Sequence, residues 1–204
     1  MLPGGWELVG LPRVRPAEVA LVDDAGTTVL RIAAADAAGS AAHRVADPAR
    51  ASVLAWRWKV DRVVAGADLA RKEGDDYAAR VYVTFDVPEA SLPLADRARI
   101  RLAKLIYGTE LPTAAICYVW DNRHPVETTA WNAYSGRVRM VVLRNAADGV
   151  GSWAAETRDV AADFRAAFGG AAPAVTGVVL SADTDQTHES VVAWFGDLRL
   201  EARP

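Results

Sequence analysis

Three stretches of the chain bring together side chains able to do chemistry. The first is the loop Asp121-Asn122-Arg123-His124-Pro125, followed shortly by Trp131-Asn132-Ala133-Tyr134. Loops at strand ends often carry sites, because a rigid scaffold positions them. With Tyr82 or Tyr134 and an Arg or Asn nearby, His124 could take a proton beside a uronate carboxylate, an Arg offsetting the charge of the enolate-like intermediate. The competing expectation is a histidine beside a proline in a turn, hydrogen-bonded and inert. The second stretch, Asp183 to Glu189, puts oxygen donors at every second position, as a loop wrapped around a hard cation requires. Asp183, Asp185 and Glu189 are its expected ligands, with calcium the one cofactor to consider. It is not an EF-hand, since His188 stands where that loop needs Gly and Trp194 where it needs Glu. A hairpin turn with self-satisfied Asp and Thr side chains competes with the metal. In the third stretch, Gly74-Asp75-Asp76-Tyr77, adjacent carboxylates would point apart on a strand, so a turn is expected. Glycine-rich phosphate loops, nucleophile elbows and zinc-protease helices are absent from the sequence.

These residues must be positioned by strands. A period of two marks Val19–Val22, Thr28–Ala33, Val53–Val60, Ala79–Phe85, Ala114–Val119, Val138–Leu143, Ser152–Arg158, Val175–Ala182 and Ser190–Leu200. Gly, Pro or Asp separates them. The expected fold is mainly β: an antiparallel, jelly-roll-like β-sandwich forming a single domain over residues 1–204. Two short decorating helices are expected, over Pro93–Tyr107 and Asp159–Phe168. The Ala-rich segment Ala33–Ala42 reads as a strand, a loop or both. Strand parity then separates Arg80 and Tyr82 from Val81 and Val83, and Tyr118 and Trp120 from Cys117 and Val119. Leu54, Trp56, Trp58 and Val60 share an apolar face, which points to the core. If the second faces lie on one sheet, Arg80, Tyr82, Tyr118 and Trp120 make an aromatic and basic floor, extended by Asn122, His124, Trp131 and Asn132. Such a floor suits sugars, whose apolar ring faces stack on aromatics while Arg and Asn bind hydroxyls or carboxylates.

Composition narrows the partners. The 204 residues include seven Trp, and only three of the 23 basic residues are Lys. A net charge of −3 argues against general nucleic-acid binding. No apolar run approaches the roughly 20 residues of a membrane-spanning helix. Cys117, the only cysteine, rules out an internal disulfide and reads as a buried thiol. The start, Met1-Leu2-Pro3-Gly4-Gly5-Trp6, lacks the basic and apolar regions of a leader. The chain is therefore expected to be exported or periplasmic if a leader has been removed, and otherwise cytoplasmic.

The strings Trp56–Val60 (WRWKV), Gly74–Phe85 (GDDYAARVYVTF), Tyr118–Pro125 (YVWDNRHP), Thr129–Tyr134 (TAWNAY) and Ala182–Leu200 (ADTDQTHESVVAWFGDLRL) together resemble an uncharacterised bacterial family, domain of unknown function 3047. The resemblance implies one domain over nearly the whole chain and brings no activity or catalytic residues. More loosely, the opening segment and the closing strand resemble jelly-roll carbohydrate-binding modules, in which first and last strands pair. The leading expectation is a non-catalytic module binding a glycan or other small polar ligand. A polysaccharide-lyase-like enzyme acting on uronate glycans, and a structural or partner-binding envelope protein, are the alternatives. Nothing in the sequence sets the oligomeric state.

Overall fold

The computed structural model describes residues 2–45, 52–98, 113–146 and 148–202. Twelve strands form two packed sheets. They are β1 (Trp6–Val9), β2 (Glu18–Asp24), β3 (Thr27–Ala35), β4 (Ala38–Arg44), β5 (Val53–Val60), β6 (Ala79–Phe85), β7 (Ala114–Trp120), β8 (Thr129–Asn132), β9 (Ser135–Arg144), β10 (Ala154–Asp159), β11 (Val175–Asp183) and β12 (Ser190–Glu201). Nine match the period-two segments; β1, β4 and β8 are additional. The Ala-rich stretch resolves into the end of β3, a turn with Asp36 at φ 48°, and β4. Alanine has no strong strand preference, so pairing decides that segment: β4 lies between β1 and β11.

The seven-stranded sheet runs β1-β4-β11-β6-β7-β9-β8 and the five-stranded sheet β10-β5-β12-β3-β2. Named strand pairs are antiparallel except β7 with β9, which are parallel. Between β2 and β3, Ala25 and Gly26 both have positive φ (54° and 82°), as a two-residue hairpin turn matched to strand twist requires. Asp23 Oδ1 accepts the Gly26 N–H at 3.2 Å and fixes that turn. The closing strand pairs with the opening hairpin, from Ser190 opposite Ala35 to Phe195 opposite Leu30.

Between the sheets, Trp56 and Trp58 of β5 meet Tyr118 and Trp120 of β7, with ring centroids 5.3 Å apart for Trp56–Tyr118 and 5.6 Å for Trp58–Trp120. Buried tyrosine and tryptophan need partners for their polar tips, and three find them here. Tyr118 OH donates to Asp163 at 2.6 Å, Trp58 Nε1 to Glu156 at 3.1 Å and Trp120 Nε1 to the Asn145 carbonyl at 3.2 Å. Helix Val160–Phe168 closes one end of this core. Asp159 caps it by accepting the Ala162 N–H, and Phe164 packs 4.7 Å from Phe85. Of the other expected helix, residues 94–98 are helical, and residues 99–107 lie outside the described residues.

Candidate functional site

Register decides which predicted residues share a face. Val81 pairs with Tyr118 and Ala79 with Trp120, whereas Arg80 pairs with Val119 and Tyr82 with Cys117. Paired residues project to the same side, so Tyr118 and Trp120 point into the sandwich while Arg80 and Tyr82 point away from it. The single floor expected from parity is thus split across the sheet. Tyr118 and Trp120 are 0% and 1% exposed and belong to the core. Parity within a strand is legible in sequence; its alignment with a neighbour depends on register.

The loop after β7 behaves as a structural staple. Buried Asp121 accepts the backbone N–H groups of Arg123 and His124, both at 2.7 Å, and its Oδ1 lies 3.1 Å from His124 Nδ1. Asn122 Nδ2 donates to the carbonyls of Ala65 and Ala67, and Arg123 donates to Ala67 as well. These contacts fasten the β5–β6 loop. Glu189 fastens it from the other side, accepting the N–H groups of Ala65 at 3.0 Å and Gly66 at 2.8 Å. At buried Gly74 a Cβ would stand 2.8 Å from the Asp68 nitrogen, so the backbone approach there requires glycine.

The pinned loop delivers Asp75 and Asp76 to a common place with β6, β8 and the β11–β12 turn. Asp75 accepts two hydrogen bonds from Asn132 Nδ2, at 2.9 and 3.0 Å, and pairs with Arg80 at 3.3 Å. Arg80, 5% exposed, also pairs with Asp183, whose other oxygen accepts the Tyr77 N–H at 3.0 Å. Asp76 turns the other way, and its Oδ2 accepts the N–H groups of Gln186 and Thr187. Asp76, Asp183 and Asp185 each place a carboxylate oxygen within 4.8 Å of the others. Burial, reinforced by Asp76, pushes the Asp185 carboxyl above its ordinary range.

Tyr134 stands at the rim of this group, 57% exposed, with Lys72 Nζ 5.2 Å from its ring and its hydroxyl donating to the Lys72 carbonyl. Partial burial and the surrounding Asp75, Asp185, Glu73 and Asp76 push its phenol upward, which marks an acidic neighbourhood. Trp131, 40% exposed, lies under the Arg139 guanidinium at 4.9 Å and packs against Phe168 of the helix. The site therefore brings together Arg80, Asn132, Asp183 and Asp185 from the expected residues. It adds Asp75, Asp76 and Tyr134, and separates Tyr118, Trp120, Asn122 and Glu189 from them. The adjacent aspartates Asp75 and Asp76 were the signal: on a turn rather than a strand, they serve two partners at once.

A second aromatic and basic surface lies on the outer five-stranded sheet. Lys59 Nζ sits 4.9 Å from the Trp153 ring and 4.7 Å from the Trp194 ring, and Arg57 lies 4.2 Å over Trp153. Its charges are internally matched. Asp24 accepts from both Lys59 and Trp153, which holds its carboxyl below the ordinary range, and Arg57 pairs with Asp197 at 2.8 Å.

Two packed sheets, aromatic side chains between them and a polar cluster built at strand ends and loops make this protein a β-sandwich. The sequence profile described as protein of unknown function (DUF3047) matches residues 4–199, and the chain belongs to that family. No curated protein matches the sequence. Among solved structures, the xyloglucanase domain of NopAA, a type three effector from Sinorhizobium fredii in complex with cellobiose, is similar with a TM-score of 0.50 and 9% identity. The match covers 100% of this chain and 96% of that one. The family 11 carbohydrate-binding module of a cellulosomal cellulase of Clostridium thermocellum matches with a TM-score of 0.45 and 6% identity, over 98% and 88% of the two chains. At such identities the likeness is one of fold.

Proposed function

We propose that this protein is a non-catalytic carbohydrate-binding module that takes a neutral glycan at the Tyr134 rim. The observation that carries the reading is an exposed tyrosine ring beside oriented polar side chains, Asn132 and Asp75, held rigid by hydrogen bonds to each other. A sugar presents an apolar ring face bordered by hydroxyls, and this combination complements both features. The cellobiose complex of the Sinorhizobium domain shows that a fold of this kind can serve such a ligand in that protein.

Electrostatics favour a neutral ligand. Besides burial, Asp75, Asp185, Glu73 and Asp76 raise the Tyr134 phenol, and the field of these four carboxylates would repel a uronate. Arg80, the guanidinium that a uronate would need, is already committed to Asp75 and Asp183. Lyase chemistry on acidic polymers is correspondingly disfavoured at this site. The test is calorimetric titration with neutral β-glucan oligosaccharides alongside uronate oligomers, on the native protein and on Tyr134→Ala. Stacking of about 1.4 kcal/mol predicts a roughly tenfold weaker Kd for Tyr134→Ala. Absence of binding by any neutral glucan, or unchanged binding by Tyr134→Ala, would overturn the reading.

A further inference from the structure

We propose that Asp76, Asp183 and Asp185 form a calcium-binding site that clamps the β11–β12 turn onto the Gly74–Tyr77 segment. One carboxylate oxygen from each lies within 4.8 Å of the other two. A calcium ion holds oxygens at about 2.3–2.6 Å, so ligands around it are separated by at most about 4.6–5.2 Å. The three oxygens already satisfy that limit.

The hydrogen bonding singles out the same place independently. Asp76 is 0% exposed, and its Oδ2 takes two backbone N–H groups while its Oδ1 has no partner among the described residues. Asp185 repeats the pattern: Oδ2 accepts from the Gln186 amide and Oδ1 is buried without a donor. The Thr187 hydroxyl in the same turn is likewise buried and unpartnered. A buried carboxylate oxygen that no described protein donor reaches has given up bulk hydration, a cost that a cation offsets. Turns satisfied by their own side chains do not leave such oxygens behind.

Charge leads to the same assignment. Arg80 is shared between Asp75 and Asp183, and no described Lys or Arg pairs with Asp76 or Asp185. Four carboxylates thus face one guanidinium, and a divalent cation offsets most of the surplus. Calcium fits better than magnesium, because it accepts irregular oxygen sets whereas magnesium demands a near-ideal octahedron. Glu189 is not among the three carboxylates that converge here; it accepts the Ala65 and Gly66 amides instead.

The experiment titrates calcium into chelator-stripped protein by calorimetry and follows thermal melting, with magnesium as comparison. Expected is a Kd between about 10 μM and 1 mM, with Tm rising as calcium increases. Asp185→Asn is expected to weaken binding at least tenfold, and Asp76→Asn to do the same if it folds. Without calcium, Asp185→Asn should melt no lower than the native chain, because it relieves repulsion; with calcium it should melt lower. That crossing is a signature that a purely structural hydrogen bond would not produce. No binding heat and no Tm shift up to about 10 mM calcium, beyond the weakest class of sites, would overturn the proposal. So would a calcium response retained by Asp185→Asn, or one matched in strength by magnesium. No glycan enters this experiment, so its failure leaves the glycan reading standing.

Discussion

Replacing Trp120 by alanine separates the two roles that its strand parity allows. On an open sheet face the indole would stack on a ligand, and its loss would abolish binding while leaving stability almost unchanged. In the structure it is 1% exposed, lies 5.6 Å from Trp58 and donates its N–H to the Asn145 carbonyl. Burying about 200 Å² of aromatic surface at about 25 cal/mol/Å² is worth roughly 5 kcal/mol, an upper value, and truncations of buried tryptophan cost about 3–5 kcal/mol. We expect Trp120→Ala to lose about 4 kcal/mol, a large part of the roughly 5–15 kcal/mol by which a domain is stable. Trp120→Phe keeps an aromatic ring but loses the hydrogen bond to the Asn145 carbonyl, and should cost about 1–2 kcal/mol. Urea unfolding followed by far-ultraviolet circular dichroism measures both. A loss below about 1 kcal/mol for Trp120→Ala would refute the reasoning, because no cavity of that size closes without cost.

Two further outcomes follow from buried groups on the outer face of the seven-stranded sheet. Arg80→Met leaves Asp75 and Asp183 without their shared guanidinium and should destabilise by about 3–5 kcal/mol in the same urea assay; a neutral result would mean that the pair is solvated. Cys117 is fully buried, and burial, partly opposed by Arg80, pushes its thiol up to about 12. Its reaction with a disulfide reagent at pH 8 should therefore be negligible in the folded protein and become rapid in urea; rapid labelling of the folded chain would show that the thiol is accessible.

Strand positions were largely legible because alternation is local: Val53–Val60 and Ala79–Phe85 have the same limits by periodicity and by pairing. The core role of Trp56 and Trp58 followed from their sharing a face with Leu54 and Val60, information contained within one strand. The β7 aromatics were harder to place because every residue of β7 is buried, so no polar, exposed face marks the other one as the core side. Tyr118 and Trp120 could equally have lined a floor or a core, and only the pairing of Val81 with Tyr118 settles the matter. β4 and β8 escaped for a related reason: one is mostly small residues and the other has four, so their strand character comes from neighbours. The polar cluster illustrates the same limit at longer range. Asp75 meets Asn132 across 57 residues, and Asp76 meets Thr187 across 111. Local spacing correctly brought Asp183 and Asp185 together but assigned Glu189 to the same group, because alternation along a chain cannot register that the Ala65 and Gly66 amides occupy that carboxylate. The polar residues that converge here come from the ends of β6, β8 and β11 and from the connections beside them, so the chemistry of the site depends on closure of the sandwich rather than on any one motif.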